Sequence, residues 1–239
     1  MRLLIALASL VLVAMPARAV DYAERLVLGF SPDGRYFAFA EYGMQDGSGF
    51  AYANAYVIDT ANDSWLKGTP VRILIEDEGS TEFDALGQAL AKIDPIADQF
   101  DIQRPPEVVA HNPITQVNSD PFAVRFLRRM MNDVHDQYVT TLKLEEFVLP
   151  KPRDCPDDYG DFKGMKLTLL PAGGGPARVL VDDKAIPQSR GCPLGYRISE
   201  VMFSPDAPVM AVLIDVRALG FEGWDRRFMA VTANVPELP

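Results

Sequence analysis

The stretch Phe30–Asp59, FSPDGRYFAFAEYGMQDGSGFAYANAYVID, decides the fold class. It opens with the turn Ser31-Pro32-Asp33-Gly34, in which proline pre-sets φ and glycine takes the strained position. An apolar, aromatic-rich run from Tyr36 to Tyr42 follows, then a glycine-rich loop from Gly43 to Gly49, then a second run ending in Tyr56-Val57-Ile58-Asp59. Turn, strand, loop and strand in this order specify an antiparallel β unit.

The unit recurs near the C-terminus. A gapless shift of 173 residues carries Phe30-Ser31-Pro32-Asp33 onto Phe203-Ser204-Pro205-Asp206, Tyr56 onto Met229 and Ile58 onto Val231. Equal element lengths in both copies point to blade-like repetition. The second copy carries Ala207 where Gly34 stands in the first, and is the degenerate one.

Ahead of the first unit, Arg2 is followed by the apolar run Leu3–Met15 and by Ala17-Arg18-Ala19, a leader expected to be cleaved after Ala19. Residues 20–239 then form one β-rich domain, exported to the periplasm or beyond. No later run is long and apolar enough to span a membrane. Loss of Arg2 and Arg18 takes the net charge from −10 to −12, which repels nucleic acid and anionic membrane surface and excludes nucleic acid as a partner.

Between the two units, Val71–Ile75 reads as a strand, and Phe83, Leu86, Leu90 and Ile93 recur at helical spacing. With Glu82 and Asp84 in the first turn, these predict one inserted helix near 81–93, ended by Pro95, with one more turn over Ile96–Phe100. Its apolar stripe is expected to cover the β core. Further strands are expected at Val108-Val109, Ala123–Phe126, Tyr138–Phe147, Met165–Leu170 and Ala177–Val181. The glycines after Pro171 make a hairpin turn rather than a phosphate loop, because no Lys-Ser/Thr follows. Arg125, Arg128 and Arg129 form a local basic cluster that could hold an anionic ligand, although neutralising nearby acids is the simpler role.

Cys155 and Cys192 are an even pair in an exported chain and predict a disulfide, which would stabilise by roughly 3–4 kcal/mol through loop closure. The acidic stretch Asp154, Asp157, Asp158 and Asp161 beside it could hold calcium, although its spacing does not match an EF-hand and a solvated loop competes with that reading. His111, expected in a turn, and His135 bring no partner motif, and no Gly-x-Ser-x-Gly elbow occurs. Trp224 falls in the loop of the second unit, where it caps the end of a blade or contacts a partner.

Phe-Ser-Pro-Asp-Gly-Arg-Tyr-Phe-Ala-Phe at 30–39 with Ala-Tyr-Val-Ile-Asp at 55–59 resembles a TolB-type β-propeller repeat. The whole chain also resembles an uncharacterised family of predicted secreted bacterial proteins, which brings no activity and no catalytic residues. The fold expected is mainly β: propeller-like antiparallel sheets, as a partial or distorted β-propeller or alternatively a β-sandwich, with the two matching units side by side. The function expected is a non-catalytic periplasmic binding or interaction module with an envelope protein partner. The alternatives are a small-ligand-binding protein or an envelope hydrolase with an acidic or calcium-assisted site.

Overall fold

The computed structural model describes residues 21–128, 135–157, 159–221, 223–236 and 238. The expected leader with its cleavage point at Ala19, together with Arg129 and Asp158, lies outside the described residues. The first sheet contains β1 (Glu24–Phe30), β2 (Tyr36–Met44), β3 (Ala51–Asp59), β4 (Ser64–Trp65) and β5 (Val71–Ile75), all antiparallel, with β4 and β5 both on the far edge of β3. The turn that feeds it is held as its sequence demands. The Gly34 amide donates to the Ser31 carbonyl at 2.9 Å with φ at +70°, and Ser31 Oγ donates to Asp33 Oδ1 at 2.6 Å.

Period-two alternation gives this sheet two different faces. Phe37, Phe39, Tyr52, Tyr56 and Ile58 point one way; Ala38, Ala40, Ala51, Ala53, Ala55 and Val57 point the other. Small side chains let a helix approach closely, and α1 (Glu82–Gln99) lies there through Ala85, Ala89 and Ile93. The helix starts at a capping box formed by Thr81 and Asp84. It does not end at Pro95 but runs through it to Gln99. The lost amide bond is outweighed because Ile96, Ala97 and Phe100 still pack on the sheet, with the Phe100 ring 4.1 Å from that of Tyr36. The buried stripe is also centred one position off the expected one, on alanines, and leaves Phe83 62% exposed.

After the helix, Arg104 exchanges backbone hydrogen bonds with Phe30. Gly29 permits this approach, since a Cβ there would sit 2.4 Å from the Arg104 carbonyl oxygen. β6 (Glu107–His111) then crosses to the edge of the C-terminal sheet, so His111 lies in a strand and not in a turn. The second sheet is β7 (Ala123–Phe126), β8 (Thr140–Val148), β9 (Lys163–Leu170) and β10 (Arg178–Asp182), in the order β10-β9-β8-β7. The third is β11 (Pro193–Phe203), β12 (Val209–Leu219) and β13 (Trp224–Asn234), in the order β13-β12-β11-β6.

The layers stack as helix, first sheet, C-terminal sheet and middle sheet, with an apolar core at each junction. The C-terminal sheet is sandwiched, which is why Val209–Val216 is buried without a break on both faces. The outer face of the middle sheet carries Lys143 and Glu145 and ends the stack in solvent. The result is mainly β, antiparallel and sandwich-like, without a closed barrel. The two matching units meet face to face, Phe30, Phe37 and Phe39 against Met202, Val209, Ala211 and Leu213.

One expectation about the repeat is corrected by the register. Tyr36 pairs with Asp59 in the first unit, but Val209 pairs with Asn234 in the second. The first strands do match at 173 residues, whereas the second strands match at 175, so Tyr56 corresponds to Val231 and not to Met229. Each arm of the second hairpin is 11 residues against 9, because the sheet on its other face supports longer strands at the expense of the loop.

Candidate functional site

Cys155 and Cys192 are joined by a disulfide with a Cα–Cα distance of 5.7 Å. The described acidic residues beside it do not converge. Asp157 pairs with Lys151 at 3.0 Å and Asp161 approaches Lys163 at 4.0 Å, both at the surface. Asp154 instead lines a cavity of about 510 Å³ beneath the disulfide, with Glu41, Tyr56, Asp225 and Arg227. Among the described residues no three metal-ligating side chains come together.

Glu41 and Arg227, two of the charges that wall this cavity, are satisfied within the protein. Glu41 is buried and accepts from the Tyr56 hydroxyl at 2.8 Å, Asn54 Nδ2 at 3.0 Å and the Phe228 amide at 2.7 Å. Burial pushes its carboxyl up, and these donors oppose the push. Arg227 donates to Asp21 at 2.5 Å and to Asp225 at 3.2 Å. Burial pushes the Asp225 carboxyl up to about 6 against the pull of Arg227.

A second cavity, of about 320 Å³, lies on the open edge of β11. β6 pairs only with Glu200–Phe203, leaving the first half of β11 without a strand neighbour on the edge opposite β12. The loop over 112–122 folds across that edge, donating the Asn112 amide to the Ser199 carbonyl at 2.9 Å and accepting the Ile198 amide at the Pro121 carbonyl at 3.0 Å. Arg197 Nη2 fastens the loop through the Asn112 and Pro113 carbonyls at 3.3 and 3.1 Å. Ile114, Phe122 and Leu194 give the cavity apolar walls, and Asp215, Arg217 and Trp224 face it from β12 and β13.

Asp215 is unusual in this setting. It is only 6% exposed, and no described residue donates a hydrogen bond to it. Arg226 Nε stands 3.9 Å from Oδ1, beyond hydrogen-bond reach. Burial pushes the Asp215 carboxyl up to about 6 despite the pull of Arg226, Arg197 and Arg25. Two residues along the same face, Arg217 lays its guanidinium 4.7 Å from the Trp224 ring centre and forms no ion pair among the described residues. Trp224 opens β13 rather than sitting in a loop, and its ring lies 5.0 Å from that of Tyr22.

The surrounding charges are matched. Arg25 pairs with Glu200 at 2.9 Å and bonds His111 Nε2 at 3.1 Å, and Arg226 pairs with Glu24 at 2.9 Å. His135 lies apart, its ring 6.1 Å from that of Tyr138. Arg128 stacks 4.3 Å from the centre of the Phe203 ring and pairs with Glu107, a neutralising role.

Residues 38–234 match the family model described as predicted secreted protein (DUF2259). The chain belongs to this family. No curated protein and no solved structure matches it. Among the described residues of this DUF2259 protein, no helix is long and apolar enough to cross a membrane.

In the DUF2259 chain, sequence reasoning passed over Asp215, Arg217 and Glu41. The signal was present: Asp215 is the lone charge in the apolar run VMAVLIDV, and Glu41 is the lone charge in YFAFAEY. A carboxylate inside a strand buried on both faces needs a reason. Glu41 has one in its three donors, whereas Asp215 Oδ1 has only the Arg226 guanidinium at 3.9 Å.

Proposed function

We propose that this secreted DUF2259 protein is a non-catalytic periplasmic binding module, a single domain of propeller-like stacked sheets, that takes a small ligand at the Asp215–Arg217–Trp224 cavity. The observation that carries the reading is the buried carboxylate of Asp215, whose Oδ1 has no hydrogen-bond donor among the described residues, beside a cavity of about 320 Å³. Such a group costs stability and is retained where a ligand completes it. The volume and the mostly apolar walls with a few polar groups suit a small-molecule site.

A thermal-shift screen of metabolites against the wild type, Asp215→Asn and Arg217→Gln tests it. The expected result is at least one compound that raises the wild-type Tm and loses its effect in both variants. A screen with no such compound, accompanied by crosslinking that captures one envelope protein through the 43–49 and 216–224 loops, overturns the small-ligand reading in favour of a protein partner. The hydrolase alternative has one geometric support, since Glu41 and Asp225 line a common cavity and burial pushes both carboxyls up. Turnover of a glycoside or peptide substrate that disappears in Asp225→Asn supports it.

A further inference from the structure

We infer that the ligand is a small zwitterion of the α-amino-acid class with an apolar side chain, an inference that rests on the binding role proposed for the Asp215–Arg217–Trp224 cavity. The reasoning starts from what the protein leaves unmatched. Around this cavity Arg25, Arg226 and Arg197 have their own acceptors in Glu200, Glu24 and the carbonyls of the 112–122 loop. Asp215 Oδ1 receives no hydrogen bond from a described residue and has Arg226 Nε at 3.9 Å, and Arg217 forms no ion pair among the described residues. A weakly partnered carboxylate and a guanidinium without an ion pair among the described residues therefore stand on one face of β12, about 7 Å apart by the rise of a strand.

The two form no ion pair with each other. Arg217 is turned over the Trp224 ring, and Asp215 is sunk beneath the sheet surface. A ligand carrying only a negative charge would meet Arg217 but also the Asp215 carboxylate. A ligand carrying only a positive charge would meet Asp215 but also the Arg217 guanidinium. A molecule with an ammonium and a carboxylate satisfies both, with its ammonium on Asp215 and its carboxylate on Arg217.

The remainder of the cavity sets the side chain. Ile114, Phe122 and Leu194 supply apolar walls, and about 320 Å³ is at the lower end of ligand-site volumes, the size of one amino acid rather than of a longer peptide. Glu146, the other carboxylate at the cavity, accepts the Tyr196 amide and adds to the negative charge that would receive an ammonium.

Calorimetric titration at pH 7.5 with L-leucine and L-phenylalanine, alongside leucinamide and N-acetyl-leucine, tests the proposal on the mature chain. The expected result is saturable binding of leucine or phenylalanine, with each charge-cancelled analogue at least tenfold weaker. Arg217→Gln and Asp215→Asn each weaken leucine at least tenfold while retaining cooperative melting. Leucinamide or N-acetyl-leucine binding as tightly as leucine, or leucine affinity unchanged in Arg217→Gln, overturns the zwitterion. If the two amino acids fail while another compound binds in an Asp215-dependent way, the ligand class is wrong and the cavity reading stands. If nothing binds in that way, both fall.

Discussion

Replacing Asp215 with asparagine should make this protein more stable, and only above acidic pH. The Asp215 carboxyl is held at about 6 rather than near 3.8 because burial penalises its charged form more than the nearby arginines favour it. The folded state therefore holds a proton that the unfolded state has released between about pH 4 and 6, and stability falls as pH rises through that window. At about 1.4 kcal/mol for each tenfold change, the full penalty above pH 6 is at most about 3 kcal/mol. Asparagine keeps the shape and cannot ionise. Asp215→Asn should thus match the wild type near pH 3.5 and exceed it by up to about 3 kcal/mol at pH 7.5, a Tm gain of roughly 6–12 °C for a chain of this size. Asp225 titrates in the same direction in both proteins, so the difference between them isolates Asp215. Urea unfolding followed by tryptophan fluorescence at the two pH values measures it. A variant that is no more stable at pH 7.5, or equally stabilised at both pH values, refutes the reasoning that the carboxylate is unpaid for within the fold.

Other residues give sharper losses. Replacing Cys155 and Cys192 together with serine should cost about 3–4 kcal/mol, and reductant should lower the wild-type melting temperature by roughly 6–16 °C, as differential scanning fluorimetry with and without dithiothreitol would record. Glu41→Ala strands the Tyr56 hydroxyl, the Asn54 amide and the Phe228 N–H, for a loss of about 3–5 kcal/mol in urea unfolding; Glu41→Gln should recover part of it. Millimolar calcium should leave the melting temperature unchanged, since Asp157 and Asp161 each face a lysine; a calcium-dependent rise that vanishes in Asp157→Asn would show that the acidic loop does bind the ion.

Most elements of the fold are legible from local chemistry. The Ser31–Gly34 turn, β5 at Val71–Ile75, β7 at Ala123–Phe126 and the start of α1 follow from turn residues, β-branched runs and helical spacing. The misreadings occur where a distant element overrides a local rule. Pro95 is a helix breaker by itself, yet α1 continues because the first sheet still receives Ile96, Ala97 and Phe100. His111 is followed by Asn-Pro and reads as a turn, yet β11 pairs with it.

The sequence by itself determined that this chain is mainly β with one helix, that it repeats an FSPD hairpin, that its two cysteines are a matched pair and that its charge is strongly negative. These depend on backbone preferences and composition, which act over a few residues or over the sum of all of them. Only the tertiary structure decided which sheet is sandwiched, the two-residue change of register in the second hairpin, and the isolation of Asp215 beside Arg217 and Trp224. Whether a carboxylate is matched depends on donors brought from other strands, here β1, β11 and β13, and no spacing along β12 encodes their positions.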